Sequence, residues 1–156
     1  MAKGRFVAFS SDASNIVPHD RNGAVDIFVR DRETGRTERV SVGPDGVEGD
    51  GDSIEPAISA SGRFVAFVSF ASNLVPGDTN DASCGDPPFC GDVFVRDRAT
   101  GRTERVSVGR RGRQANGDST LPRISGDGGL VAFVSGATDL VPGDTNDGRD
   151  IFVRTR

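Results

Sequence analysis

The tract at Gly4 reads GRFVAF, returns at Gly62 as GRFVAF and returns again at Gly128 as GGLVAF. The first step is 58 residues (4 to 62) and the second 66 (62 to 128), the second carrying an insertion of eight. Self-similarity at a fixed spacing means one supersecondary unit copied in tandem, and such a unit cannot bury its apolar face alone. The expectation is a single repeat domain over residues 1–156, with repeats at 4–61, 62–127 and 128–156.

Each copy is built from short tracts rich in Val, Ile, Phe and Thr, set between clusters of Gly, Asp, Asn and Pro. That is the pattern of strands and turns. FVAFSS (6–11), FVAFVS (64–69) and LVAFVS (130–135) form one set, here called B. DIFVRD (26–31), DVFVRD (92–97) and DIFVRT (150–155) form C. TERVSV (37–42 and 103–108) forms D, and the PxIS segments (56–59 and 122–125) form A. TGRT (34–37 and 100–103) reads as a tight hairpin turn whose Gly supplies a positive φ. No helical periodicity of useful length is present, so the class is all-β. Four short antiparallel strands per copy make a propeller blade. The chain then reads B-C-D, A-B-C-D, A-B-C, three blades of which the first lacks A and the last lacks D.

The composition fits stacked sheets with solvated loops: 35% hydrophobic residues, 21 Gly, ten Phe, no Trp and no Tyr. A net charge of −4 argues against nucleic acid, which demands a basic face. No stretch approaches the roughly 20 apolar residues that span a bilayer, so no membrane partner is expected. Met1-Ala2-Lys3 runs into the repeat without an apolar leader, which fits either a cytoplasmic protein or a chain trimmed from a longer one, the second being the reading favoured here.

The series PxIS-x-x-GRFVAFVS, NLVPGDTN, DxFVRDRxTGRTERVSV resembles the TolB-like, WD-like β-propeller repeats of bacterial proteins. The likeness covers nearly the whole chain. It implies a periplasmic or secreted, non-enzymatic propeller that serves as a binding or assembly platform, and says little about the ligand; a protein or glycan on a loop face is the partner expected beside a second copy of the chain. Three blades do not close a ring, and bare edges and exposed apolar faces are liabilities. Two copies supply six blades. The expectation is a two-fold homodimer, each chain half of a six-bladed ring, with the truncated blades at the junctions; the alternative is a piece cut from a longer propeller.

The B–C loops carry the chemistry. Each offers an Asp, an Asn two residues on and an Asp opening strand C: Asp20, Asn22 and Asp26; Asp78, Asn80 and Asp92; Asp144, Asn146 and Asp150, with Asp81 and Asp147 added in the later copies. Two readings fit. Hard oxygen ligands at alternate positions suit Ca²⁺, with the third copy the best site, although the oxygens fall short of the six or more that Ca²⁺ takes. The same residues also cap turns by accepting backbone N–H groups.

The eight extra residues fall within DASCGDPPFCG (81–91), which brings the only cysteines, Cys84 and Cys90. The one histidine, His19, belongs to another repeat, so a zinc site is short of the four N or S ligands it takes and a catalytic Cys lacks a plausible partner. A disulfide clamping a surface loop fits better and points to an oxidising compartment; the other reading is a reduced, incidental pair. The D–A loops differ in sign, with Asp45, Glu48, Asp50 and Asp52 in the first and Arg110, Arg111 and Arg113 in the second. They read as solvated faces or as steering charges. The Arg-Asp-Arg runs at 30–32 and 96–98 are expected to form inter-strand or inter-blade ion pairs.

Enzyme chemistry finds little support. His19 stands where the other copies have Gly77 and Gly143, no G-x-S-x-G elbow exists, and the GDS turns (51–53 and 117–119) have no base near them in sequence. Abundant Asp leaves paired-carboxylate glycosidase chemistry as the one enzymatic alternative.

Overall fold

A computed structural model describes residues 4–79, 90–146 and 148–156. Asn80, Asp81, Cys84 and Asp147 lie outside the described residues. Ten strands form three antiparallel sheets, and no α-helix occurs among the described residues. The first sheet holds β1 (Phe6–Ser11), β2 (Asp26–Asp31) and β3 (Thr37–Arg39), in that order. The second holds β4 (Ser53–Ile58), β5 (Phe64–Ser69), β6 (Asp92–Asp97) and β7 (Arg102–Arg105). The third holds β8 (Ser119–Ile124), β9 (Leu130–Ser135) and β10 (Asp150–Thr155), with β10 at its edge.

The B and C strands occupy the expected residues, and their register repeats. Ser11, Ser69 and Ser135 face Asp26, Asp92 and Asp150, while Phe9–Phe28, Phe67–Phe94 and Phe133–Phe152 face each other as stacked rings. A and D differ from expectation. Strand D stops at Arg39 and Arg105 instead of running to Val42 and Val108, because the ladder is interrupted there by a side chain: Ser41 and Ser107 take the backbone N–H of Ile27 and Val93 on their hydroxyls, at 3.0 Å each. Strand A begins three residues before the PxIS motif and contains a bulge. Glu55 and Leu121, with φ of +55° and +53°, make that bulge, a left-handed conformation that a β-pattern search does not anticipate.

Between the sheets lie two apolar layers. Ile27, Val29 and Val40 of the first sheet meet Val65, Phe67, Phe94 and Leu74. Ala66, Val68, Val93 and Val95 of the second meet Val131, Phe133 and Leu140. The middle sheet is therefore apolar on both faces, so Val65 to Val68 and Val93 to Val95 are all fully buried.

A latch of arginines and rings fastens each junction. Phe6 lies between the guanidiniums of Arg5 and Arg98, each 4.8 Å from its centroid. Phe64 lies between Arg63 at 4.7 Å and Arg156 at 4.3 Å. The second arginine of each stack comes from the following sheet and pairs with the preceding one: Arg98 with Glu38 and Arg156 with Glu104, both at 2.5 Å. The ring rests on a glycine of the following sheet. A Cβ on Gly62 would stand 2.1 Å from Phe6, and one on Gly128 the same distance from Phe64.

Candidate functional site

The carboxylate loops are held by arginines that the loop pattern does not reveal. In the first sheet Asp26 is fully buried. It accepts hydrogen bonds from Ser41 Oγ (2.6 Å), Arg39 Nη1 (2.8 Å) and Asn22 Nδ2 (3.0 Å). Arg39 Nη1 also lies 3.2 Å from Asp20, and its Nη2 pairs with Glu48. Asn22 closes the turn by accepting from Ala24 N–H and donating to Gly49 O. Burial pulls the Arg39 guanidinium down, but its bonds to Asp26 and Glu48 more than offset this and hold it above its ordinary value. Burial likewise pushes Glu48 up, and the Arg21 N–H and Arg39 carry it below the usual range.

The second sheet repeats the arrangement. Arg105 Nη1 contacts Asp78 at 2.8 Å and Asp92 at 3.2 Å, Ser107 Oγ donates to Asp92 at 2.5 Å, and Gln114 replaces Glu48 and donates to Asp78 at 3.0 Å. The third sheet is different. Asn146 again donates to Asp150 at 3.0 Å and accepts from Gly148 N–H. No arginine reaches Asp144 or Asp150, and neither forms an ion pair among the described residues. Among those residues no group of three or more His, Cys, Asp or Glu is arranged around a common point for a metal. Arg39 and Arg105 were the residues missed from sequence. The available signal was TERVSV itself, which puts an arginine at the same place in both D strands.

The Arg-Asp-Arg runs divide their labour. Arg5 and Arg63 fork onto Asp31 and Asp97, at 2.7 Å for the shorter bond, and hold both carboxyls well below the usual range. Arg98 is the inter-sheet latch described above. In the first D–A loop the acids are tied locally: Asp50 accepts from Ser72 N–H and Oγ, and Asp52 from Val25 N–H. Arg110, Arg111 and Arg113 are exposed. His19 is exposed at φ +64°, where its equivalents are Gly77 and Gly143. The GDS serines 53 and 119 are buried and spend their hydroxyls on Ser69 and Ser135, at 2.9 Å each. Cys90 is buried beside the entry to β6; its expected partner Cys84 lies outside the described residues.

The end sheets expose what the junctions bury. Ile151 and Val153 are 77% and 65% exposed, whereas their equivalents Ile27, Val29, Val93 and Val95 are at 0%. Leu130, equivalent to the latched Phe6 and Phe64, is 47% exposed. At the other end Val7 is 44% exposed where Val65 is fully buried. Gly4 has φ +57° like its equivalents, but only Arg32 lies near the position a Cβ would take. Arg32, the counterpart of Arg98 and Arg156, donates to Gly4 O at 3.0 Å and forms no ion pair among the described residues.

No family model matches the chain, and no curated protein matches it. Solved structures do. TolB from Acinetobacter baumannii aligns with 99% of this chain and 28% of its own, at 15% identity and a TM-score of 0.51. A putative TolB from Agrobacterium tumefaciens aligns with 99% of this chain and 43% of its own, at 18% identity and 0.55. The tricorn protease aligns with 86% of this chain and 10% of its own, at 15% identity and 0.52. The chain thus spans less than half the length of either TolB structure. At these identities the likeness concerns the fold, and the fold is a TolB-like, all-β propeller type. Among the described residues no helix is long and apolar enough to cross a membrane.

Proposed function

We propose that this chain is a non-catalytic propeller module that self-associates, two copies meeting through their end faces to make one six-sheet ring. The observation that carries this reading is the equivalence of the ends to the internal junctions. Leu130, Ile151 and Val153 offer the face that Phe6, Ile27 and Val29 present to the middle sheet, and Val7 and Gly4 offer the face that Val65 and Gly62 present in return. Each such aliphatic side chain contributes about 1.5–3 kcal/mol when fully withdrawn from water. Leu130 on Gly4 repeats the contact of ring on glycine, with the smaller side chain that Gly129, in place of the flanking arginine, leaves uncovered. A binding role for a protein or glycan on the loop face, a periplasmic or secreted location, and a Cys84–Cys90 disulfide belong to the same reading. They are supported by the resemblance to TolB-like repeats and by the chain's only two cysteines lying together in one loop.

Substitution tests the face directly. The double variant Leu130→Asp with Val153→Asp is expected to elute later than the parent on size exclusion, while Val47→Asp, at an exposed apolar residue in a D–A loop, elutes with the parent. Equal elution of all three contradicts the reading.

A second reading, Ca²⁺-dependent recognition at the Asp-x-Asn loops, is favoured only in the third copy, where no arginine neutralises Asp144 and Asp150. Calorimetry with Ca²⁺ is expected to give heat with the parent and none with Asp144→Ala. No heat with the parent removes calcium from the account.

A further inference from the structure

The junction between the first and second sheets carries a cleft lined with arginine. Its lining comes from β3 and β6 with the residues beside them, and from Val17 and Pro18 of the loop before β2, all internal to the chain. The cavity measures about 550 Å³ and presents Arg36, Glu38, Arg39, Arg96 and Arg98. A second cavity of about 330 Å³ shares Arg36, Glu38 and Arg98 with it and extends to Phe6.

The four guanidiniums are not equally spent. Arg39 is taken up by Asp20, Asp26 and Glu48. Arg98 pairs with Glu38 at 2.5 Å and donates to Gly62 O as well. Arg36 and Arg96 form no ion pair among the described residues. Arg36 is exposed, whereas Arg96 is half-buried and fixed in place. Arg96 Nη1 donates to Thr103 Oγ1 at 3.0 Å, and that hydroxyl donates to Val42 O at 2.7 Å across the junction. Burial pulls Arg96 below the ordinary arginine value, and Glu38 and Asp97 offset only part of this. A partly desolvated guanidinium without a carboxylate is costly, and an anion in the cleft would relieve that cost. The second junction differs, since Arg102, the equivalent of Arg36, lies 4.0 Å from Glu104.

From this we infer that the cleft binds a small organic oxyanion, a carboxylate or a phosphate monoester, whose charged group meets Arg36 and Arg96 and whose body lies against Val17 and Pro18. The planar guanidinium fork suits either oxyanion. The volume is that of a site for an organic molecule, not for a lone inorganic ion. A net charge of −4 surrounds the cleft with an acidic background, which favours a small anion over an extended polyanion. The site lies within one chain and does not depend on self-association.

The test is isothermal titration calorimetry on the intact 156-residue protein at fixed ionic strength, with glucose 6-phosphate and glucuronate as probes. Saturable heat is expected with at least one of them and none with glucose; which probe binds tells phosphate from carboxylate. Arg36→Gln and Arg96→Gln are each expected to weaken binding about tenfold or more, as loss of one charge-assisted hydrogen bond requires. Arg113→Gln, which removes an exposed arginine from a D–A loop, is expected to bind like the parent. The exposed Arg36 guanidinium holds no ion pair, so Arg36→Gln decides the matter even if Arg96→Gln perturbs the junction. Absence of saturable heat with both probes overturns the inference. So does binding unchanged by Arg36→Gln, or weakened equally by Arg113→Gln. A parent that binds a probe while sedimenting as one chain would remove the ring reading and leave this one standing.

Discussion

At the scale of single residues, the repeats are distinguished by who occupies the space above a turn glycine. Gly62 and Gly128 combine a positive φ with a phenyl ring where a Cβ would go, so their replacement incurs both backbone strain and overpacking. Gly62→Ala is expected to lower stability by about 2–5 kcal/mol, summing a left-handed alanine and a displaced ring, with thermal melting as the measurement. Within one chain Gly4→Ala meets no ring and should cost only the backbone part, whereas in the proposed dimer, where Leu130 of the second copy sits on Gly4, it should in addition weaken association. The fork from Arg63 to Asp97 gives a pH prediction. A carboxyl held below its unfolded value contributes stability that is present above about pH 4 and is lost as pH falls through the lower folded value. The melting temperature should therefore fall on acidification below pH 4, and Arg63→Met should flatten that fall.

At the scale of elements, strands B and C were legible because the copies agree in register and their β-branched and aromatic residues leave little choice. Strand D is three residues shorter than its sequence suggests, since V-S-V looks like strand while its serine turns inward to hydrogen-bond a neighbouring backbone. Strand A starts three residues earlier than its PxIS motif, since Ser53-Ile54-Glu55 hides a left-handed bulge. Within the B–C loops the sequence points to the turn bonds of Asn22 and Asn146, but not to the arginine that arrives from a strand 13 residues after Asp26 or Asp92. Long-range partners of this kind leave no local period to detect. Removing the arginine alone strands buried carboxylates, so Arg39→Ala is expected to cost about 3–5 kcal/mol, more than typical surface changes. Chemical denaturation measures this, and the Arg39→Ala, Asp26→Asn pair should recover part of the loss.

At the scale of the whole molecule, the middle sheet sets the standard by which the ends are judged. It is covered on both faces, latched on both sides and completed by a fourth strand, whereas each end sheet exposes the positions that its counterparts bury. The repeat makes the propeller fold readable from sequence alone. Closure is a proposal: sequence counts blades, and the exposure of Ile151, Val153 and Leu130 supports it. Sedimentation equilibrium on the unmodified protein tests this most directly. The account predicts a mass twice the 16.4 kDa of one chain at concentrations where the Leu130→Asp, Val153→Asp variant stays single; a parent that sediments as one chain at every concentration would contradict it.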